Sequence, residues 1–219
     1  MKKLIKKNEV VKIDDNLFQF QGEFLKIFRN LDLYFKNLAI KKFKATEQEN
    51  PILWPIDLYK KINYFDEFPQ QILMISGLKK NNYNYNNFSQ KYNSKKNYSK
   101  IEINNDFEKS DYGLQPAVCD NCYYALRNLK NYKNHAYTTY NKVFRNEKSE
   151  NKSLDRLISF TVRDIMFVGN RTHILNMKAK IIREIIKFLN ISEINCSIET
   201  ADDPFFVGKF NKKLYQQSF

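Results

Sequence analysis

The chain has 219 residues, 42% hydrophobic and 15% aromatic, which is enough apolar material for one core or one core with a small appendage. No run of about 18 apolar residues occurs, so no membrane span is expected, and MKKLIKKNEVVKIDD has the basic start of a secretion signal without its apolar stretch. The formal net charge of +13 suits an acidic partner such as a nucleic acid, a nucleotide or an acidic protein, though abundant Lys, Asn, Ile, Phe and Tyr also mark AT-rich coding, while three cysteines argue against a disulfide framework and for a reducing cytoplasm.

In chain order, residues 21–41 predict an amphipathic helix, with Phe24, Phe28, Leu31, Phe35 and Leu38 sharing a face. Pro51 and Pro55 then enforce an extended or turning segment. DLYKKINYF predicts a short helix with Asp57 near its start, and Ile72 to Ile75 a short buried strand. Residues 79–100, dominated by Asn, Lys, Tyr and Ser, have little to bury and read as a mobile insertion whose tyrosines suit stacking on bases. IEINNDF predicts a strand.

CYYALRNLKN predicts a helix. HAYTTYNKVFRNE and RLISFTVRDIMFVGN predict two strands around the polar KSENKSLD, an antiparallel hairpin. NRTHILNMKAKIIREIIKFLN is a helical pattern with Ile174, Met177, Ile181, Ile185 and Leu189 as its stripe and Asn170 as its cap. INCSIET predicts a short strand holding Cys196 as a core thiol, and ADDPFF a turn. The order implies an α+β domain, an antiparallel sheet flanked by helices.

GLQPAVCDNCYYAL holds Cys119 and Cys122 in a Cys-x-x-Cys spacing. A redox pair would need a βαβ setting that the rest of the chain does not offer. A four-cysteine zinc site is excluded by the count of three. Arg145 and Glu147, two apart on a predicted strand, share a face, and by themselves they read as an exposed cross-strand ion pair. His135, in a predicted loop, and His173, in the first turn of the long helix, receive no role. The few glycines form no phosphate loop.

Three stretches taken together, GLQPAVCDNCYYAL, VFRNE with RLISFTVRDIMFVGN, and ETADDPFF, with NYFDEFPQQI before them, resemble the amino acid:[carrier protein] ligases. These are homologues of the catalytic domain of an atypical zinc-dependent seryl-tRNA synthetase, of the class II aminoacyl-tRNA synthetase fold. The resemblance runs from about Phe43 to the C-terminus, with residues 79–100 as an ill-matched insertion. It implies ATP- and Mg2+-dependent activation of a small amino acid to an aminoacyl-adenylate, then transfer to the phosphopantetheine thiol of a carrier protein. Arg145 would neutralise the α-phosphate, Glu147 would meet the adenine amino group or orient the arginine, and Asp203 would contact substrate. Cys119 matches the family's first Zn2+ ligand, and Asp164 stands where the family has a glutamate ligand, one methylene longer. Cys122 has no counterpart. The family's third zinc ligand, its last ATP-binding arginine motif and central strands lie beyond ADDPFF, whereas this sequence ends at Phe219. The resemblance therefore implies a partial domain, completed by a second chain or a homodimer, or else a catalytically inactive module that binds a carrier protein or RNA.

Overall fold

The structure is a computed structural model, and it describes residues 7–79, 85–94, 103–128, 133–146, 154 and 156–199. Among them the fold is α+β, built from two three-stranded sheets, an N-terminal hairpin and two long helices. The hairpin, β1 (Val10–Asp14) and β2 (Leu17–Phe20), turns through Asn16 at φ 60°, a left-handed conformation that asparagine tolerates. The Asn16 carbonyl accepts from Ile158 N at 3.0 Å, which ties the hairpin to the larger body.

α1 (Gly22–Asn37) follows the apolar spacing predicted for it and ends in a π-helical turn, Leu38–Lys42. β3 (Thr46–Gln48) and β4 (Leu53–Pro55) are short. α2 (Ile56–Lys61) and α3 (Tyr64–Glu67) divide the single helix expected from DLYKKINYF, because Asn63 between them sits at φ 59°. Asp57 lies in the first turn of α2, as expected, with Pro55 at the N-cap position. β5 (Leu73–Leu78) is longer than the predicted strand and alternates in burial, because it is a sheet edge with one face open, as Met74 at 45% exposure shows.

α4 (Tyr85–Asn93) lies within the segment expected to have little to bury. Its Tyr92 is buried, donating to the Asp106 carboxylate that Lys91 also meets at 2.8 Å. Of the strand expected at 101–107, residues 101 and 102 lie outside the described residues and 103–106 form no strand: β6 (Phe107–Leu114) begins at its end and is the centre of an antiparallel sheet, with β4 on one side and β5 on the other. α5 (Cys119–Leu126) follows. The predicted hairpin forms as β7 (His135–Phe144) and β8 (Ser159–Val168), in unbroken register from His135 opposite Val168 to Phe144 opposite Ser159. His135 is thus the first residue of a strand, not part of a loop, and its Nε2 lies 2.8 Å from the Thr46 hydroxyl. β3 joins β7 in parallel, the one parallel pairing among the described strands.

α6 (Arg171–Ile191) starts as predicted, the Asn170 side chain accepting from His173 N at 2.9 Å. It packs beside α1 through Phe188, whose ring meets Tyr34 and Phe35. Between the two helices and β8 runs an apolar cleft of about 410 Å³. The strand expected over 194–200 is absent from residues 194–199, and Cys196 is exposed rather than in the core. A short apolar run becomes a strand only where a neighbouring strand takes its backbone groups, and none is placed beside it among the described residues.

Two constraints hold the layers. On the α1 side, the Arg163 guanidinium pairs with Asp32 through both of the carboxylate's oxygens and donates to Thr138 Oγ1 at 3.1 Å. Both partners are largely buried, so losing either would strand a charge. In the other sheet Gly113 has β4 on one flank and β5 on the other, and a Cβ there would lie 2.6 Å from the Tyr59 hydroxyl and 3.0 Å from the Leu73 carbonyl. The Tyr59 hydroxyl cannot swing away without giving up its 2.6 Å bond to the Leu114 carbonyl. Gly113→Ala is therefore expected to destabilise the fold by about 1–3 kcal/mol in urea denaturation, through overpacking rather than backbone strain.

Candidate functional site

The segment from Gln115 to Asn121 is fixed before any functional side chain is considered. Gln115 is fully buried. Its N–H donates to the Ile52 carbonyl and its carbonyl accepts from Phe144 N, both at 2.9 Å. Its side-chain amide donates to the Lys142 carbonyl at 2.6 Å and accepts from Asn121 Nδ2 at 2.8 Å. Asn121 Oδ1 in turn accepts from the Trp54 indole at 3.1 Å. Val118 and Pro116 are buried as well, so the chain reaches the first turn of α5 in one conformation.

This delivers Cys119 and Asp120 to the front face of the β7–β8 ladder. Along β8, successive residues face opposite sides. Ile165 and Phe167 pack against Phe43 and the buried Ala39, Ala45 and Ala136. Met166 and Val168 pack with Cys119, Cys122 and Leu126. Asp164 shares that second face, and its charge acts on Cys119, Asp120 and Tyr123. The two cysteines separate as their context suggests: Cys122 is buried within the cluster, whereas Cys119 is partly open.

Arg145 follows the last residue of β7. Its Nε donates to the Pro116 carbonyl at 3.0 Å, and its guanidinium lies 5.3 Å from the centre of the Phe160 ring. Its backbone N–H is bonded to the Ile158 carbonyl, so both ends of the residue are tied. From there its charge reaches Asp164 and Tyr64. Arg145 and Cys119, predicted from separated stretches, thus both fall within electrostatic reach of Asp164. Glu147 and Asp203, the other two predicted residues, lie outside the described residues.

The site is desolvated and negative. Burial pushes the Asp120 carboxyl up to about 6, with the charges of Asp164 and Glu67 adding to it. Burial also raises Asp164, against the pull of Arg145. Burial, then Asp120 and Asp164, push the Cys119 thiol up to about 12, so it is a neutral thiol at neutral pH. Burial raises Tyr123 to about 12 as well, with Cys119 the largest of several added charges. Burial likewise raises Tyr64, whose hydroxyl donates to Gln71 Oε1 at 2.7 Å. Asp120 escaped the sequence reading: nothing in its spacing separates it from an ordinary first-turn acid, and only the proximity of β8 gives it a partner carboxylate.

Thiol and carboxylate are zinc-compatible donors. Among the described residues, however, no three His, Cys, Asp or Glu side chains come together as a metal-ligand set. Cys119 and Asp164 would need a third ligand from outside those residues, so the described part of the chain does not by itself make a zinc site. What the geometry offers a ligand is two half-buried carboxylates for a cation and a fixed guanidinium for an anion.

The paired carboxylates make the fold pH-sensitive. Asp120 titrates near 3.8 when unfolded and near 6 when folded, so the folded chain holds its proton more tightly. The contribution of Asp120 to stability is fully present below about pH 4 and is lost as pH rises through about 6, by up to about 3 kcal/mol. Asp120→Asn is expected to flatten this fall and to raise stability at neutral pH, read by urea denaturation at several pH values.

No protein-family model matches the chain, and no curated protein matches it. Among solved structures it is similar to the seryl-tRNA synthetase of M. kandleri, solved in complex with A. aeolicus tRNASec, with a TM-score of 0.83 at 14% identity over 95% of this chain. It is also similar to the RNA binding domain of threonyl-tRNA synthetase from Cryptosporidium parvum Iowa II, with a TM-score of 0.63 at 12% identity over 86% of this chain. The chain spans 41% of each of those structures. At these identities the likeness is one of fold: this chain has an aminoacyl-tRNA-synthetase-like α+β fold.

Proposed function

We propose that the chain activates a small amino acid with ATP and passes the aminoacyl group to the phosphopantetheine thiol of a carrier protein. The observation that carries this reading is one partly desolvated site in which the charge of Arg145 acts on Asp164, and that of Asp164 on Cys119 and Asp120. The carboxylates suit the ammonium group of an amino acid, because a cation there removes the mutual repulsion and the burial penalty that raise them. The guanidinium of Arg145, already held by the Pro116 carbonyl, suits the α-phosphate.

In this reading the amino acid's carboxylate oxygen attacks the α-phosphorus, forming the acyl–phosphate bond as pyrophosphate leaves. Arg145 neutralises charge that grows on the phosphoryl oxygens, at no reorganisation cost. Mg2+ would accompany the leaving pyrophosphate. The carrier thiol then attacks the adenylate carbonyl, forming the thioester and releasing AMP, while its proton passes to solvent. Glu147 on the adenine and Asp203 on the substrate complete the reading on the strength of the sequence resemblance alone.

A second reading, RNA binding, is favoured by the net charge of +13 and by the two similar solved structures, one of a complex with tRNA and one of an RNA binding domain. It is compatible with the first, because the cations concerned are not those of the site.

The enzyme reading predicts amino-acid-dependent exchange of labelled pyrophosphate into ATP. Arg145→Ala is expected to lower that exchange by about 100-fold or more. Asp164→Asn is expected to raise KM for the amino acid by about tenfold, with a smaller effect on kcat. Absence of exchange with every small amino acid, or full exchange in Arg145→Ala, would remove the proposal.

A further inference from the structure

α6 carries five cations, Arg171, Lys178, Lys180, Arg183 and Lys187, against the single anion Glu184. Lys180, Arg183 and Lys187 follow one another at three and four residues, so they share a helix face. With 1.5 Å of rise per residue they span about 10 Å. All three are exposed, and none makes a hydrogen bond or ion pair among the described residues. The helix's apolar stripe is turned towards β8 and α1, where Ile181 and Ile185 line the cleft. Lys180 and Arg183 lie beside this stripe, on the side of the helix that faces Lys42 and Phe43.

Beside this face lies a groove of about 470 Å³, bounded by Lys180, Arg183 and Glu184 on α6 and by Lys42 at the end of the π-helical turn. Its apolar lining is Phe43 and Met177. Phe43 is half-buried and held edge-on by Phe167 at 5.2 Å between ring centres, so it is a rigid platform. Lys42 pairs with Glu184, which also feels Lys187 and Arg183. The one acid in the groove is thereby neutralised, and Lys180, Arg183 and Lys187 remain as uncompensated charge. Lys41 and Lys44, both exposed, extend the basic rim.

We propose that this groove binds the phosphodiester backbone of single-stranded RNA, with Lys180, Arg183 and Lys187 on successive phosphates and a base lying against Phe43 and Met177. The assignment rests on the RNA reading above and gives it a place. A row of cations beside an aromatic platform is what sequence-tolerant single-strand binding requires. A helix that packs one whole face on the sheet cannot enter a duplex groove on that face, and the exposed face offers cations for phosphates rather than a set of side chains for base edges. Phe43 packs with Phe167 and Ile165, on the opposite side of β8 from Asp164, so the groove and the candidate site are physically separate.

The test is fluorescence anisotropy of a labelled 12-nucleotide oligo(U) RNA from 50 to 200 mM salt. The full chain is expected to bind with a log–log salt slope of about −2, since three phosphate contacts release about 0.7 counterion each. The double variant Lys180→Gln, Arg183→Gln is expected to bind at least tenfold more weakly and to lose about 1.4 from that slope. Lys60→Gln, Lys109→Gln removes the same charge from exposed positions elsewhere and is expected to leave the slope unchanged. Both pairs sit at exposed positions, and an unchanged thermal midpoint verifies folding. No RNA binding by the unaltered chain overturns the RNA reading itself. RNA binding that the groove variant leaves intact, or that both variants weaken equally, overturns the groove. Equal affinity for oligo(dT) overturns the choice of RNA over DNA. Loss in the groove variant of binding to an acidic carrier protein, without any RNA binding, transfers the surface to a protein partner.

Discussion

One buried amide holds the two halves of this fold together. Gln115 joins the end of β6 to β4 through its own N–H, to β7 through its carbonyl and its side-chain amide, and to α5 through Asn121. It is fully buried, and it touches both three-stranded sheets. In an apolar surrounding an amide with missing partners would cost several times what each bond returns, so the sheets are restrained to the separation at which all these bonds close. The position of Cys119 and Asp120, a few residues on, follows from that restraint. So does the position of Arg145, whose side chain rests on the carbonyl of the very next residue, Pro116.

The candidate site is therefore preorganised by polar contacts and destabilised by its own charges. Asp120 and Asp164 are raised by burial and left beside a neutral thiol, with Arg145 as the counterweight within reach. Such a site holds free energy that a cationic ligand releases on binding. The same groups that weaken the empty fold would strengthen the complex, a trade between stability and affinity that functional sites commonly make.

Much of this was legible in the sequence where period and punctuation agree. The β7–β8 hairpin, α1 and the Asn170-capped α6 each carry an apolar period bounded by polar or capping residues, and they fold as read. α5 forms where a helix is expected from Cys122 on, but it starts a turn earlier, at Cys119. The failures are strands whose existence depends on a partner. Residues 103–106 and 194–199 have the composition of strands, but composition does not supply a neighbour. Cys196 is exposed for that reason. The Lys/Asn-rich segment erred the other way: its low complexity hides Tyr92, which finds Asp106 only through the tertiary fold. Asp120 was illegible because its importance is set by the distance to Asp164, across 44 residues of chain.

The alternation along β8 has a consequence for how faithfully the chain folds. Arg163 belongs with Asp32 on one side of the strand, and Asp164 with Cys119 and Asp120 on the other. A hairpin closed one residue out of register would turn every side chain to the opposite face. It would turn the Asp164 carboxylate to the face that holds Phe43 and Asp32, and turn the Arg163 guanidinium away from Asp32 to the opposite face. The first misplacement sets a carboxylate among apolar groups beside a like charge, and the second strands Asp32, and the two occur together. Adjacent residues of opposite charge thus act as a proofreading mark on the strand, rejecting the slipped pairing that its apolar neighbours Ile165, Met166 and Phe167 would tolerate.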